Sequence, residues 1–254
     1  MKIKGLLIDL DGVIYNDSQP IPGAVDAIRF MRERNIPFRF ITNTTMKNRE
    51  MLAAKLNAMG ISAHPRDIFS AASAGADFLR QHEENTSFLL LTEEAKREYT
   101  EIPRAKENAR FVVVGDLGND VSIALLNDAF NCLMQGAQLV ALQKNRFWLS
   151  DEGYKMDAGA FVAMLEYAAN VRAILIGKPS AKFFDLALAS LKLPAAEVLM
   201  IGDDVESDIA GAARMGLKTC LVKTGKYRAI DLQRAAIQPQ IILESIAQLP
   251  ELLA

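Results

Sequence analysis

The chain has 254 residues, of which 50% are apolar and 24% are charged, and its formal net charge is −2. These values fit one large globular domain or two modest ones, and the balanced charge argues against a nucleic-acid or membrane-surface binder. The apolar runs have the length of strands, so we expect no helix that spans a bilayer. Two cysteines, Cys132 and Cys220, make no disulfide framework, which favours a reducing cytoplasm as the location.

Short apolar runs alternate with helical stretches along the chain. Strands are predicted at residues 5–10, 37–42, 87–92, 110–115, 138–143, 173–177, 198–202 and 219–223. Helical periodicity predicts helices that include residues 24–34, 46–59, 123–134, 180–191 and 205–215. Continuous apolar strands separated by helices indicate a Rossmann-like parallel sheet covered on both faces, so the predicted fold class is α/β.

One stretch departs from this alternation. Residues 139–142 and 146–149 are separated by only three residues, which favours an antiparallel hairpin over a helical crossover. We therefore expect a second, differently built unit in the middle of the chain. The sequence has no Pro-, Gly- or Ser-rich linker, so that unit is expected to be inserted through short hinges.

Paired acidic residues follow two of the predicted strands. Asp9 and Asp11 lie two positions apart at the end of the first strand, and Asp203 and Asp204 follow the strand at 198–202. Asp208 comes four residues later. Ligands of open parallel sheets bind at the carboxyl ends of the strands, and a few carboxylates suit Mg²⁺. The alternatives are a solvated turn at the first pair and helix caps at Asp204 and Asp208.

Two further strand ends carry groups that suit an anion. Thr42 and Asn43 lead from a strand into a helix, where hydroxyl and backbone N–H groups can bind a phosphate or simply cap the helix. Lys178 directly follows another predicted strand. Together with the carboxylates, these groups make up the set used for phosphoryl transfer. The histidines, His64 and His82, lie in loop or surface contexts, which leaves a carboxylate as the candidate nucleophile.

The order and spacing of these groups resemble the four motifs of the haloacid dehalogenase-like hydrolases. The matching stretches read Asp-Leu-Asp-Gly-Val, Thr-Asn, Gly-Lys-Pro and Gly-Asp-Asp followed by a further Asp. The resemblance spans the whole chain and implies that Asp9 is the nucleophile and Asp11 the acid and base. Because the dehalogenases proper lack a carboxylate at the second position, Asp11 favours the phosphatase branch.

The same resemblance implies which residues bind Mg²⁺ and which bind the phosphoryl group. The implied metal ligands are Asp9, Asp11 and Asp203, supported by Asp204 and Asp208. The implied phosphate-binding residues are Thr42, Asn43 and Lys178.

The second half is similar to the phospholysine phosphohistidine inorganic pyrophosphate phosphatase group, a type IIA branch with a C2 cap. The similar stretches are residues 127–130, 156–159, 165–168, 177–180 with 183–184, and 223–227. This similarity implies pyrophosphate, phospholysine, phosphohistidine or small phosphomonoesters as substrates. Animal members of that group carry Ser at the position of Asp11, a departure that favours ordinary phosphatase chemistry here.

The interval between Asn43 and Lys178 holds 134 residues, far more than one crossover needs. We therefore predict an inserted cap domain at residues 84–171 and a catalytic core at 1–83 and 172–254. The resemblance implies that the cap is an α/β unit with a small sheet.

Two residues of the predicted cap are candidates for substrate selection. Asp157 and Gly159 lie between the second hairpin strand and the following helix. Asp157 could bind a cationic substrate such as a phospholysine amine, or it could cap the helix that starts at Ala158.

The predicted function is a Mg²⁺-dependent phosphatase whose partner is a small phosphorylated molecule, with no nucleic acid or membrane partner. A homodimer is left open. The alternative is a non-enzymatic, phosphate-responsive binding or signalling module, since receiver domains also combine paired acids, Thr and Lys on a parallel sheet. Receivers are much shorter, and a large inserted unit serves catalysis better than switching.

Overall fold

A computed structural model describes residues 3–118, 121–150 and 153–254, without the side chains of 148–150. The strands are β1 (Gly5–Asp9), β2 (Tyr15–Asn16), β3 (Gln19–Pro20), β4 (Phe38–Thr42), β5 (Ile68–Ser70), β6 (Ser87–Leu90), β7 (Phe111–Val114), β8 (Gln138–Ala141), β9 (Phe147–Ser150), β10 (Gly153–Met156), β11 (Ile174–Leu175), β12 (Val198–Gly202), β13 (Lys218–Val222) and β14 (Ile241–Leu243). The α-helices are α1 (Ala24–Glu33), α2 (Arg49–Ala58), α3 (Ala71–Arg80), α4 (Ile123–Met134), α5 (Ala158–Ala169), α6 (Ala181–Leu191), α7 (Gly211–Arg214), α8 (Ala229–Arg234) and α9 (Leu249–Leu253). A π-helical turn, Val205–Ala210, leads directly into α7.

The first of two compact units contains a six-stranded sheet in the order β14-β13-β12-β1-β4-β5. Neighbouring strands from β14 to β4 are parallel. Every residue of β1 and of β12 is buried, which explains why both segments read as continuous apolar runs. The predicted α/β class with a parallel sheet is confirmed. The three-residue strands β5 and β14 escaped prediction because so short a run carries no clear pattern.

The second unit has its own sheet, with four parallel strands in the order β11-β8-β7-β6. Helices α4 and α5 pack against this sheet and against each other. Their buried apolar faces share one hydrophobic core with the strands. A second parallel α/β unit is thus inserted into the chain of the first.

The two units have different boundaries from the predicted domains. The first comprises Met1–Thr42, Arg49–Phe69 and Lys178–Ala254, and the second Asn43–Asn48 and Ser70–Gly177. The second unit therefore starts before residue 84 and ends after residue 171. The second unit starts earlier than predicted because helix α3 belongs to it. Eight residues of α3 are buried. There, a side chain in place of Gly75 would overlap the Tyr99 hydroxyl and Leu142.

The predicted hairpin pairs differently from our expectation. Strand β8 pairs in parallel with β7 and β11, whereas β9 pairs antiparallel with β10. Three of the four residues of β8 are buried, as is typical of a strand inside a covered parallel sheet. Tyr154 and Met156 of β10 are exposed, which suits a surface ribbon. The predicted pairing of 139–142 with 146–149 is therefore wrong, although an antiparallel ribbon does lie in this unit.

Both cysteines are free thiols in hydrophobic cores. Cys132 of α4 is buried in the core of the second unit, and Cys220 of β13 in the core of the first. Burial raises the pKa of the Cys220 thiol to about 12, so this thiol stays protonated and unreactive at neutral pH. Over the described part of the chain, no helix combines the length and apolarity that crossing a bilayer requires.

Candidate active site

Three side chains stand at the carboxyl ends of adjacent strands in the first unit. Asp9 is the last residue of β1, Thr42 is the last residue of β4, and Asp203 directly follows β12. Because β12, β1 and β4 are neighbours and parallel, their carboxyl ends meet at one edge of the sheet. All three side chains are buried. This edge is where the sequence predicted the site.

Lys178 bridges two carboxylates at this edge. Its Nζ lies 2.8 Å from Asp9 Oδ1 and 2.6 Å from Asp208 Oδ1. The lysine and both acids are buried. Burial alone would lower the pKa of Lys178, but Asp208 and Asp9 hold it above its ordinary value. The ammonium group is therefore a fixed positive charge beside Asp9 at every physiological pH.

Three carboxylates form a compact cluster that could hold a metal ion. One oxygen from each of Asp9, Asp203 and Asp208 lies within 4.8 Å of the other two. Among the described residues, none provides a hydrogen-bond donor to the buried Oδ1 of Asp203. A buried carboxylate oxygen without a partner is costly, and a cation would satisfy it. The oxygen-only donor set fits a hard ion such as Mg²⁺.

The electrostatics of the cluster favour a bound cation. Burial, the largest cause, and neighbouring carboxylates together raise the pKa of Asp9 and of Asp203 to about 6, and that of Asp208 to about 7. Lys178 opposes the rise at Asp9 and Asp208, while a backbone hydrogen bond from Lys226 opposes it at Asp203. Three mutually repelling acids need more positive charge than one lysine supplies.

Asp11 lies outside this cluster of carboxylates. Its side chain is exposed, whereas Asp208 takes the third place in the cluster. Burial of Tyr15, together with the nearby carboxylate of Asp11, raises the pKa of the tyrosine. The metal-binding role of Asp11 stays a prediction. Sequence reasoning missed Tyr15, since a tyrosine after an apolar run reads as ordinary core.

The two acids predicted to support the metal have different surroundings. Asp204 caps the turn that follows β12, where its Oδ1 accepts hydrogen bonds from the backbone N–H groups of Glu206 and Ser207 at 3.0 and 2.9 Å. Burial would raise the pKa of Asp204, but these bonds and Lys226 bring it below its ordinary value. The capping alternative thus describes Asp204. Asp208 instead takes part in the carboxylate cluster.

Gly202 explains how Asp208 reaches the strand end. A Cβ at this position would overlap the Asp208 carboxylate. The glycine at the end of β12 therefore makes room for a carboxylate from the next turn. The glycine of the Gly-Asp-Asp sequence is therefore required for steric reasons, in addition to the chemical role of the acids.

The remaining candidates lie in the second unit. Asn43 belongs to its first segment, and its side-chain oxygen lies close to Gly177. Asp157 is buried and caps α5, accepting hydrogen bonds from the backbone N–H of Ala158 at 2.7 Å and from the Gln143 amide. Gly159 is buried against the backbone of the segment before β9. The capping alternative therefore describes Asp157, and a role of Asp157 and Gly159 in substrate selection stays a prediction.

A parallel sheet with an inserted α/β unit, acids at the ends of adjacent strands and a lysine in contact with the first of these acids make up the arrangement of the haloacid dehalogenase-like hydrolases. Sequence comparison agrees with this class. Residues 6–102 match the family described as haloacid dehalogenase-like hydrolase, and residues 175–249 match the family described as HAD-hydrolase-like. The chain belongs to the haloacid dehalogenase-like hydrolase family and is a hydrolytic enzyme.

Two groups of relatives cover nearly the whole chain. Haloacid dehalogenase-like hydrolase domain-containing protein 2 of Rattus norvegicus is 33% identical over 243 residues, which are 96% of this chain and 93% of that protein. The phospholysine phosphohistidine inorganic pyrophosphate phosphatase of Homo sapiens is 30% identical over 257 residues, covering 99% and 94%. The predicted resemblance to the family and to the latter group is confirmed.

Solved structures show the same fold. A hypothetical protein from Pyrococcus horikoshii superimposes with a TM-score of 0.93 at 28% identity, over 99% of this chain and 100% of that one. A p-nitrophenyl phosphatase from Archaeoglobus fulgidus gives a TM-score of 0.92 at 25% identity, with coverage of 99% and 100%. Both units of the chain are therefore shared with these proteins.

Proposed function

We propose that this chain is a Mg²⁺-dependent phosphatase that hydrolyses small phosphorylated molecules through an aspartyl-phosphate intermediate. The observation that carries the proposal is the buried Lys178, which bridges Asp9 and Asp208 near Asp203, whose Oδ1 has no hydrogen-bond partner among the residues described. This arrangement supports a nucleophile, a fixed positive charge and a cation-binding cluster at one edge of the sheet. Relatives named as phosphatases support the same reaction class.

Asp9 is the proposed nucleophile. One oxygen of its carboxylate attacks phosphorus, and the bond between phosphorus and the leaving oxygen or nitrogen breaks. The products of this step are an acyl phosphate on Asp9 and the departing alcohol, amine or phosphate. Lys178, held at 2.8 Å from Asp9 Oδ1, offsets the negative charge that the phosphoryl group brings to this buried site.

Asp11 is the proposed acid and base. Its protonated carboxyl group donates a proton to the leaving oxygen in the first step, which leaves it as a carboxylate. In the second step this carboxylate takes a proton from the water that attacks the aspartyl-phosphate, and inorganic phosphate is released. The side chain is exposed and adjoins a surface cavity that Asp203 also lines, so water and the leaving group can reach it.

Asp9 and Asp203 are the proposed side-chain ligands of Mg²⁺, with Asp11 as the third protein ligand and with Asp204 and Asp208 in supporting positions. When bound, the ion would shield the acids from one another and polarise the phosphoryl group. Asp203 provides the clearest observation, since its Oδ1 is buried and accepts no hydrogen bond within the described part of the chain.

Thr42, Asn43 and Lys178 are the proposed phosphate-binding residues. Thr42 ends the strand beside β1 and is buried there. Its hydroxyl group can donate to a phosphoryl oxygen, and Lys178 supplies charge. Donors of this kind stabilise the negative charge that develops on the transferred group.

The second unit is the proposed cap domain. Its main segment, Ser70–Gly177, is inserted between two segments of the first unit, Arg49–Phe69 and Lys178–Ala254, and we propose that it is the C2 type of insertion in this family. We propose pyrophosphate, phospholysine, phosphohistidine and small phosphomonoesters as candidate substrates, by similarity to the relatives. A cytoplasmic location is also proposed, because both cysteines are free thiols.

A panel of phosphorylated compounds tests the proposed function. Steady release of phosphate from p-nitrophenyl phosphate, pyrophosphate or phospho-amino acids in the presence of Mg²⁺ is the expected result. A signalling module would take up phosphate without turnover. Failure to hydrolyse any compound of a broad panel, with Mg²⁺ present and the protein folded, would overturn the enzymatic proposal.

The Asp203→Asn variant is expected to weaken Mg²⁺ binding by more than about 100-fold and to remove most activity. The physical reason is that the site loses one of its few anionic ligands. This loss should weaken Mg²⁺ binding more than the loss of a residue that only hydrogen-bonds to a ligand. Titration of activity and calorimetry with Mg²⁺ provide independent measurements. Asp231→Asn, the same change in an acid paired with Arg228 at the surface, is the matched control. Unchanged Mg²⁺ affinity in Asp203→Asn would show that the metal site lies elsewhere.

A further inference from the structure

The segment from Thr224 to Lys226, which we call the 224 loop, follows β13 and contacts two turns of the candidate site. The Thr224 hydroxyl donates a hydrogen bond to the backbone carbonyl of Gly12, with a distance of 2.5 Å between the oxygens. The backbone N–H of Lys226 donates to Asp203 Oδ2 at 2.6 Å. The loop thus joins the turn after β1 to the first acid after β12.

Two glycines allow this close approach. Gly12 and Gly225 both have positive φ values, 83° and 61°. A Cβ on either residue would overlap the Asp203 carboxylate, and one on Gly225 would also collide with the backbone of Gly12. The two backbones and the carboxylate therefore pack together with no space for a methyl group.

The contacts of the 224 loop give the two carboxylate oxygens of Asp203 different surroundings. Oδ2 is held by the Lys226 N–H, whereas the buried Oδ1 has no partner among the residues that the structure describes. Since Asp203 offers a ligand atom to the carboxylate cluster, fixing one oxygen fixes the direction of the other. Groups that orient a metal ligand in this way commonly control metal affinity.

We propose that the 224 loop is a positioning element that orients Asp203 for the cation and fixes the turn that carries Asp11. This inference rests on the proposed function but assigns roles to residues outside the four strand-end motifs. Thr224 and Gly225 are positioning residues, and they act through Gly12 and Asp203. The Thr224 hydroxyl anchors the loop, and Gly225 lets the backbone reach the carboxylate.

The Thr224→Val variant tests the anchoring hydrogen bond with almost no change in side-chain volume. We expect its Mg²⁺ dissociation constant, measured by calorimetry without substrate, to rise by about 10–100-fold. The half-saturating Mg²⁺ concentration for activity should rise in parallel, while KM for p-nitrophenyl phosphate at saturating Mg²⁺ stays close to that of the unaltered protein. Thr224→Ser keeps the hydroxyl group, so this variant is expected to bind Mg²⁺ with the affinity of the unaltered protein.

Thr100→Val is the matched control. The Thr100 hydroxyl also donates to a backbone carbonyl, that of Arg97 at 2.7 Å, but within the second unit. The Thr100→Val variant should bind Mg²⁺ like the unaltered protein. A general loss of stability would affect Thr224→Val and Thr100→Val alike, so thermal unfolding of both variants separates folding from positioning.

Gly225→Ala provides the second, sterically independent test. Because the added methyl group would displace the Asp203 carboxylate, Mg²⁺ affinity should fall at least as far as in Thr224→Val. A folded Thr224→Val protein with unaltered Mg²⁺ affinity would overturn the inference, as would equal losses in Thr224→Val and Thr224→Ser. If the unaltered protein itself fails to bind Mg²⁺, the proposed function fails first and the inference with it.

Discussion

The Asp9→Asn variant is expected to lose turnover by about 10⁴- to 10⁶-fold, the range seen when an enzyme loses a central catalytic side chain. An amide oxygen is a much poorer nucleophile than a carboxylate oxygen, so no aspartyl-phosphate can form at a useful rate. Phosphate release from p-nitrophenyl phosphate at saturating Mg²⁺ is the measurement. The size of the loss distinguishes a nucleophile from a residue that only helps to bind the phosphate.

The folded state of Asp9→Asn provides the control for this loss. Burial and the neighbouring acids raise the pKa of Asp9 to about 6, which means that its charge is unfavourable in the metal-free protein at pH 8. A neutral side chain of the same shape should therefore unfold at no lower temperature than the original. A variant that is folded yet retains turnover within tenfold would rule out Asp9 as the nucleophile.

The Lys178→Met variant is expected to lower the free energy of unfolding by about 3–5 kcal/mol at pH 8 without Mg²⁺. Methionine preserves the volume of the side chain but leaves Asp9 and Asp208 buried without their shared cation. Denaturant unfolding monitored by circular dichroism measures the change. Activity should be lost as well, because the phosphoryl group then has no fixed positive charge beside it.

The same variant has a pH signature whose sign follows from the pKa values. Asp9 and Asp208 have folded-state pKa values of about 6 and about 7, above the unfolded value of about 3.9. The folded state thus binds protons more tightly, and its stability falls as the pH rises from about 4 to 7. Lys178 offsets this fall, so the destabilisation of Lys178→Met should grow from pH 5 to pH 8.

Lys223→Met is the matched control for this experiment. Lys223 pairs with Glu244 at 2.7 Å, but at the surface, where solvent screens such pairs. Its replacement should change stability little and with no trend between pH 5 and pH 8. A destabilisation of Lys178→Met that is constant across this range would contradict the assigned environment of Asp9 and Asp208.

Much of the site could be predicted because chemistry at the end of a strand is visible in the sequence. Asp9 and Asp203 each follow an apolar run, and parallel strands bring such ends to one edge. Lys178 was also identified because it follows a predicted strand, although that strand, β11, belongs to the sheet of the second unit. The structure brings these three together in one unit, with Lys178 in contact with Asp9.

The parts that escaped prediction depend on contacts between distant residues. No sequence pattern distinguishes Asp208 as a buried partner of Lys178 from Asp204 as a helix cap, because both acids precede or begin the same helical stretch. The early start of the second unit likewise depends on which sheet α3 covers. The predicted pairing of β8 with β9 was wrong because it relied on the short gap between them in the sequence. That β8 instead lies between two parallel strands becomes visible only in the folded unit.

Acid-quench mass spectrometry of the Asp11→Asn protein tests the central claim most directly. Because this variant lacks the Asp11 carboxylate as base, hydrolysis of the aspartyl-phosphate should slow by about 10²–10⁴-fold. Formation of the aspartyl-phosphate should slow less with p-nitrophenyl phosphate, whose leaving group is stable as an anion. Our account predicts that a phosphoryl group accumulates on the peptide that contains Asp9. Phosphate on Asp203 or Asp208, or no phosphorylated peptide while turnover persists, would contradict it.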